Sequence, residues 1–254
     1  MPDSAAPQFT VKLATTEAEK AAAQRLRYDV FIAELGGDGD MVDHVNRLEH
    51  DRLDPFFDHL ILRDDSTGAI VGLYRLLRDD QAERAGQYYS EDEYDLSVLK
   101  SGGRRLLELG RSCLHRDFRG GMAMFHLWNG LANYILQHKI EVLFGVASFH
   151  GTNPQALAHP LSFLHQRHLA PPDLRVRART SQFTNMDLVP PDALERRRAM
   201  RETPALIKAY LRLGGFVGEG AFVDHAFNTT DVCLVMDTAR LNEKQANLYR
   251  RAQN

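Results

Sequence analysis

The sequence predicts a mixed α/β domain whose sheet is partly antiparallel and flanked by helices. Two observations carry that expectation. Strand-like and helix-like segments alternate irregularly along the 254 residues, which fits neither an all-parallel nor an all-β architecture. Two apolar runs, 59–63 and 69–77, flank Asp64-Asp65-Ser66-Thr67-Gly68, a turn composition, and so define a β-hairpin.

The elements follow in order. Residues 1–8 are small and polar and read as a flexible tail. Phe9, Val11 and Leu13 alternate with polar residues, as a short strand does. Thr16 and Glu19 stand at capping-box spacing before a helix whose stripe includes Leu26, Val30 and Phe31, stopping at Gly36-Gly37. Residues 36–58 hold seven acids against Arg47 and Arg52 with no helical period, the mark of a long functional or disordered loop. After the hairpin and a polar connector, 104–115 reads as a strand running into Arg119-Gly120-Gly121. Residues 122–138 are the clearest helix, with Phe125, Trp128, Leu131, Ala132, Ile135 and Leu136 repeating at three and four. A buried-type strand at 141–148 follows. Asn153-Pro154 then caps a helix to about 168. Segment 174–201 reverses the charge, with seven arginines against three acids. A helix from Thr203-Pro204 to Gly214-Gly215, a strand at 231–237 and a polar helix complete the chain. The reading is one domain over 9–254, with 174–203 a basic insertion and 204–254 its C-terminal part.

Composition narrows the function. Hydrophobic residues make up 44% and charged residues 26%, ordinary for a globular protein. Thirty-one Lys and Arg against 34 Asp and Glu leave a net charge of −3, which gives no bulk electrostatic case for binding nucleic acid. Two distant cysteines, Cys113 and Cys233, form no metal spacing and suit a reducing cytoplasm. The first residues lack the basic and apolar regions of a secretory signal, and no run is long enough to span a bilayer. A cytoplasmic enzyme is expected, with peripheral contact at the inner face of the membrane.

The most informative unit is strand, Arg119-Gly120-Gly121, amphipathic helix. Free amides and partial positive charge at a helix start receive phosphate. Glycines let backbone approach a ligand, and Arg119 adds a guanidinium fork. The plain alternative is a turn into the helix. This unit, with the strand and helix after it, resembles the acyl-thioester site of the Gcn5-related N-acyltransferase superfamily, although Met122 stands where that pattern has another glycine. A narrower resemblance covers nearly the whole chain. LRYDVF (26–31), DRLDPFFDHLIL (51–62), IVGLYRLL (70–77), LLELGRSCLHRDFRGG (106–121), FGVASFHGT (144–152) and the segment 204–237 are similar in order to the L-ornithine Nα-acyltransferase family. Arg27, Phe31, Asp51, Asp54, Arg75, Glu108 and Arg111 also echo N-acylhomoserine lactone synthases.

The resemblance implies transfer of a 3-hydroxy fatty acyl group from acyl carrier protein to L-ornithine, with the phosphopantetheine held at Arg119, Gly120 and Gly121. It implies no metal or redox cofactor. The chemistry can also be read from the residues. An amine attacks a thioester only as the free base, so a nearby carboxylate is useful. Glu108, mid-strand before the loop, is the catalytic candidate. Its alternative is an ion pair with Arg111, which an odd offset places on the other face unless a bulge intervenes. Asp51 and Asp54 are anionic partners for a doubly cationic amino acid, or simply a solvated acidic loop. Arg75, inside an apolar strand, needs one of these acids. Tyr210 is a weaker candidate for protonating the leaving thiolate, with core packing as its plainer role. An EF-hand fails because Asp43 stands where the sharp turn requires glycine. The arginines of 174–201 could meet an acidic carrier protein or anionic headgroups. An autoinducer-synthase-like enzyme and a non-catalytic acyl-carrier-binding module are the competing readings.

Overall fold

A computed structural model describes residues 8–240. In chain order its elements are β1 (Phe9–Leu13), α1 (Glu17–Arg27), β2 (Asp58–Asp64), β3 (Ile70–Arg78), α2 (Asp79–Ala85), β4 (Tyr94–Asp95), α3 (Ser97–Lys100), β5 (Leu106–Leu114) and α4 (Ala123–His138). There follow β6 (Val142–His150), α5 (Ala158–His168), β7 (Arg177–Ala178), β8 (Phe183–Thr184), α6 (Arg196–Glu202), α7 (Ala205–Arg212), β9 (Phe216–Val217), β10 (Ala221–Asp224) and β11 (Thr229–Asp237). The chain forms two compact units. One holds the residues up to Leu77 with Gly110–His138, the other Arg78–Leu109 with the chain from Lys139 onward.

In the first unit β1, β2 and β3 form an antiparallel meander, with Leu13 opposite Leu60 and Leu60 opposite Tyr74. The apolar runs of β2 and β3 are buried almost throughout, as strands covered on both faces must be. The expected capping box is present: the Glu19 amide donates to Thr16 Oγ1 at 3.2 Å, and Glu19 Oε2 accepts from the Thr16 amide at 3.3 Å. Helix α1 then widens into a π-helical stretch, Tyr28–Glu34. Ala23, Leu26 and Val30 pack on Ile61, Leu73 and Cys113. Helix α4 is tied by Trp128 Nε1, which donates to the Tyr74 hydroxyl at 3.0 Å, and by Tyr134, which donates to Asp58 at 2.6 Å.

In the second unit the first part of β5 runs parallel to β6, with Leu106, Leu107 and Glu108 opposite Val142, Leu143 and Phe144. Strand β6 is antiparallel to β11 over its whole length. β10 and β9 pair with β11, β8 pairs with β10, and β4 pairs with β7. Phe149, Leu143, Val232 and Val235 are buried here, each contributing roughly 1.5–3 kcal/mol. The basic stretch carries β7, β8 and α6.

The helix expected at Asn153 starts later. Asn153 Oδ1 accepts from the Gln155 amide at 3.1 Å, making a local turn that competes with the helix, and α5 opens at Ala158. The final polar helix and nearly all of the N-terminal tail lie outside the described residues. No described helix is long and apolar enough to cross a membrane.

Candidate active site

Glu108 sits in β5 at the last rung of its ladder with β6. Its carboxylate is buried. It accepts from the Tyr89 amide at 2.8 Å, the Ser90 amide at 2.6 Å and the Ser90 hydroxyl at 2.5 Å. The carboxylate expected to face the thioester therefore grips the turn at 89–90. Just beyond the last rung the two strands approach closely. A Cβ at Gly145, the residue after Phe144, would lie 2.1 Å from the Leu109 carbonyl oxygen, so backbone meets backbone there.

Arg111 has a φ of 48°, the left-handed region that a residue with a Cβ enters at a cost of about 1–2 kcal/mol. Its Nε donates to Glu49 Oε1 at 3.1 Å, and the guanidinium lies 5.8 Å from the centre of the Phe31 ring.

Glu49 belongs to a buried charge network within the first unit. Arg27 Nε donates to Glu49 Oε2, and Arg27 Nη1 donates to both oxygens of Asp54 at 2.8 and 2.9 Å. Arg75 Nη1 donates to Asp51 Oδ2 at 2.5 Å and Asp54 Oδ1 at 2.6 Å, and its guanidinium stacks 4.1 Å from the Phe57 ring centre. Arg75 thus finds the acids the sequence assigned to it. Asp51 and Asp54 are held by guanidinium groups rather than presented as open anions. Burial alone would raise the Glu49 carboxyl, but Arg111 and Arg27 outweigh it and hold the group at about 2. Burial likewise opposes ionisation of Asp54, and Arg27 and Arg75 again prevail, keeping it well below the usual carboxylate range. His59, nearby, is pushed down by burial. The sequence reading counted Glu49 only among the loop acids; its spacing from Arg27 and Arg111 carries no local signal.

Beyond β5, Gly120 has a φ of 79°, which glycine adopts freely, and Gly121 has open space where a Cβ would stand. The Met122 carbonyl accepts from the His126 amide at 3.1 Å, so the first-turn amides of α4 point out of the helix start. Arg119 lies beside this turn. Its Nη1 and Nη2 donate to Glu34 at 2.5 and 2.9 Å, and its Nε to the Leu114 carbonyl at 3.1 Å. The hydrogen bonds from Arg119 hold the Glu34 carboxyl below its ordinary value. Tyr210 is buried on α7, and its carbonyl accepts from the Gly215 amide at 3.0 Å as the helix ends. One carboxylate trio, Glu93, Asp224 and Asp231, places an oxygen from each within 4.8 Å of the others. Asp224 Oδ1 already accepts from the amides of Ala226 and Phe227.

The first rungs of β5 pair with β6, and the strand then leads into a glycine turn and a helix whose first amides are open. The acetyltransferase (GNAT) domain family matches residues 26–129, and the chain is an acyltransferase of that class. It is 58% identical over 254 residues to the L-ornithine N(alpha)-acyltransferase of Rhodobacter capsulatus, covering 98% of this chain and 97% of that one. To the protein of the same name from Brucella abortus it is 42% identical over 246 residues, covering 94% and 88%. The chain belongs to the L-ornithine Nα-acyltransferase family. Among solved structures, a CoA-dependent acyl-homoserine lactone synthase with MTA aligns at a TM-score of 0.54 and 13% identity, covering 96% of this chain and 89% of that one. That likeness concerns the fold.

Proposed function

We propose that the enzyme moves a 3-hydroxy fatty acyl group from acyl carrier protein to the α-amino group of L-ornithine, giving lyso-ornithine lipid. The observation that carries this reading is the near full-length identity to relatives named for ornithine acylation. In the mechanism, the phosphopantetheine phosphate docks on Gly120, Gly121 and the open amides of α4, with Arg119 as its cation. The thioester carbonyl lies along β5, where backbone amides polarise it and stabilise the tetrahedral oxyanion. The free α-amine attacks the carbonyl carbon, the C–N bond forms, and the C–S bond breaks to release the thiolate, which takes up the proton that the nitrogen gives up. Glu108 acts on this step by fixing the turn at 89–90, and its negative charge favours an approaching ammonium. The charge network around Arg27, Arg75 and Arg111 holds the loop containing Asp51 and Asp54 in shape.

Incubating the purified enzyme with labelled L-ornithine and 3-hydroxyacyl carrier protein should yield an amide. Lysine, glutamine and S-adenosylmethionine run in parallel. Product from S-adenosylmethionine alone would replace this reading with autoinducer synthesis, and no product from any acceptor would favour a binding module.

The Arg119–Glu34 pair competes with a phosphate for the same guanidinium. Glu34→Gln is therefore expected to lower the KM for the acyl donor about threefold at low salt, with the gain fading as salt screens the phosphate. A donor KM that stays the same or rises would show that Arg119 does not contact the donor.

A further inference from the structure

Helix α6 of the second unit presents a cationic face. It runs from Arg196 to Glu202, packs on α5 and buries Ala199. Arg197 and Arg201, four apart, lie on the opposite, exposed side, and Arg196 is exposed beside them. From Glu195 to Glu202 the chain carries four arginines against two glutamates. Both glutamates meet one arginine: Arg198 Nε pairs with Glu202 at 2.9 Å, and Arg198 Nη1 with Glu195 at 3.8 Å. Arg196, Arg197 and Arg201 enter no ion pair among the described residues. The flanking helices α5 and α7 contain no acid. On the α5 side, burial and then the charge of Arg196 push His168 below its ordinary value.

This arrangement works against the helix itself. Like charges four apart repel, and cations in a first turn oppose the positive helix end. Arg196, Arg197 and Arg198 fill that turn of α6, with no acid among them. An anionic partner relieves both strains. The chemistry of that partner follows from what the face lacks. Protein–protein interfaces centre on apolar or aromatic anchors. Among the described residues the exposed large hydrophobic side chains, Leu35, Met41, Val45, Met122 and Leu136, all belong to the first unit. A spread of guanidinium groups without such an anchor suits the phosphate headgroups of an anionic bilayer, to which each basic residue adds its own attraction.

We infer that the outward face of α6, with Arg196, Arg197 and Arg201, docks the enzyme on anionic lipid headgroups. The choice of a bilayer also rests on the proposed reaction, whose product carries a fatty chain that leaves water for a membrane. The contact is peripheral and electrostatic. Each arginine at such a surface strengthens binding about fivefold, so three together give about a hundredfold. Salt weakens the hold as it shortens the screening length.

The test is co-sedimentation of the purified enzyme, without substrate, with two kinds of vesicle: phosphatidylcholine alone, and equal parts phosphatidylcholine and phosphatidylglycerol. The wild type is expected to bind the anionic vesicles about a hundredfold more tightly. It should release them at about 1 M salt, where charges act over only about 3 Å. Arg197→Gln/Arg201→Gln should bind about 25-fold more weakly, while Arg197→Lys/Arg201→Lys stays within about twofold of wild type. Both positions are exposed, and glutamine and lysine favour helix much as arginine does. Both variants should therefore keep the wild-type circular dichroism and the wild-type kcat with soluble substrates. A glutamine variant that binds anionic vesicles as tightly as wild type would overturn the inference, as would equal binding of the wild type to both vesicles. A raised KM for acyl carrier protein with vesicle binding unchanged would also overturn it, assigning the face to that acidic partner. Vesicle binding needs no turnover, so a wild type that binds as expected yet fails to acylate ornithine supports this face and overturns the proposed reaction.

Discussion

Glu108→Ala is expected to cost about 3 kcal/mol of stability and to abolish transfer, whereas Glu108→Gln retains kcat within about tenfold. The alanine variant leaves two amides and a hydroxyl, at Tyr89 and Ser90, without their acceptor. Each buried donor so stranded costs roughly 1–3 kcal/mol, and the turn can relax to recover part of the total. Glutamine keeps one carbonyl acceptor for the turn, so the segment holding Tyr88 in place survives. Urea unfolding and steady-state kinetics over pH measure both effects. The opposite pattern is a Gln variant of wild-type stability whose kcat falls by 10²–10⁴ and whose acid limb disappears. That result would make Glu108 the proton acceptor. An alanine variant as stable as wild type would show that the turn does not depend on it.

Glu49→Gln should destabilise the protein by roughly 3–5 kcal/mol at pH 7, the usual consequence of removing one partner from a buried ion pair. The pH dependence follows from the direction of the shift. The folded Glu49 carboxyl lies at about 2, below its ordinary 4.5. Its contribution is complete above pH 4.5 and is lost as pH falls toward 2, because protons then bind the unfolded chain more readily. The gap between wild type and variant should therefore narrow across that window. Denaturant midpoints at pH 7, 4.5 and 3 read it directly, and a gap constant with pH would rule out an ionised Glu49 as its source. Arg27 and Arg111 are each expected to resist replacement for the same reason.

Much of the architecture was readable from local pattern. The hairpin of β2 and β3, the long helix α4 and the strand into Arg119-Gly120-Gly121 follow from apolar period and glycine placement, which act over a few residues. The pairing of Arg75 with loop acids was readable too, since a guanidinium in an apolar strand requires a counter-charge. What lay beyond reach depends on tertiary assembly. Glu49 was one acid among seven until Arg27 and Arg111 converged on it from segments 22 and 62 residues away. The left-handed backbone at Arg111 has no glycine to announce it. Glu108 takes two main-chain amides at 89–90, which every residue but proline carries, so no side-chain motif marks them.

The close approach of Leu109 to Gly145 bears on how the enzyme could be re-engineered. With a peptide carbonyl filling the space of a methyl group, even alanine at 145 would act as a wedge on the first unpaired rung. Libraries aimed at longer or bulkier acyl donors should therefore leave that glycine fixed and diversify the side chains around it.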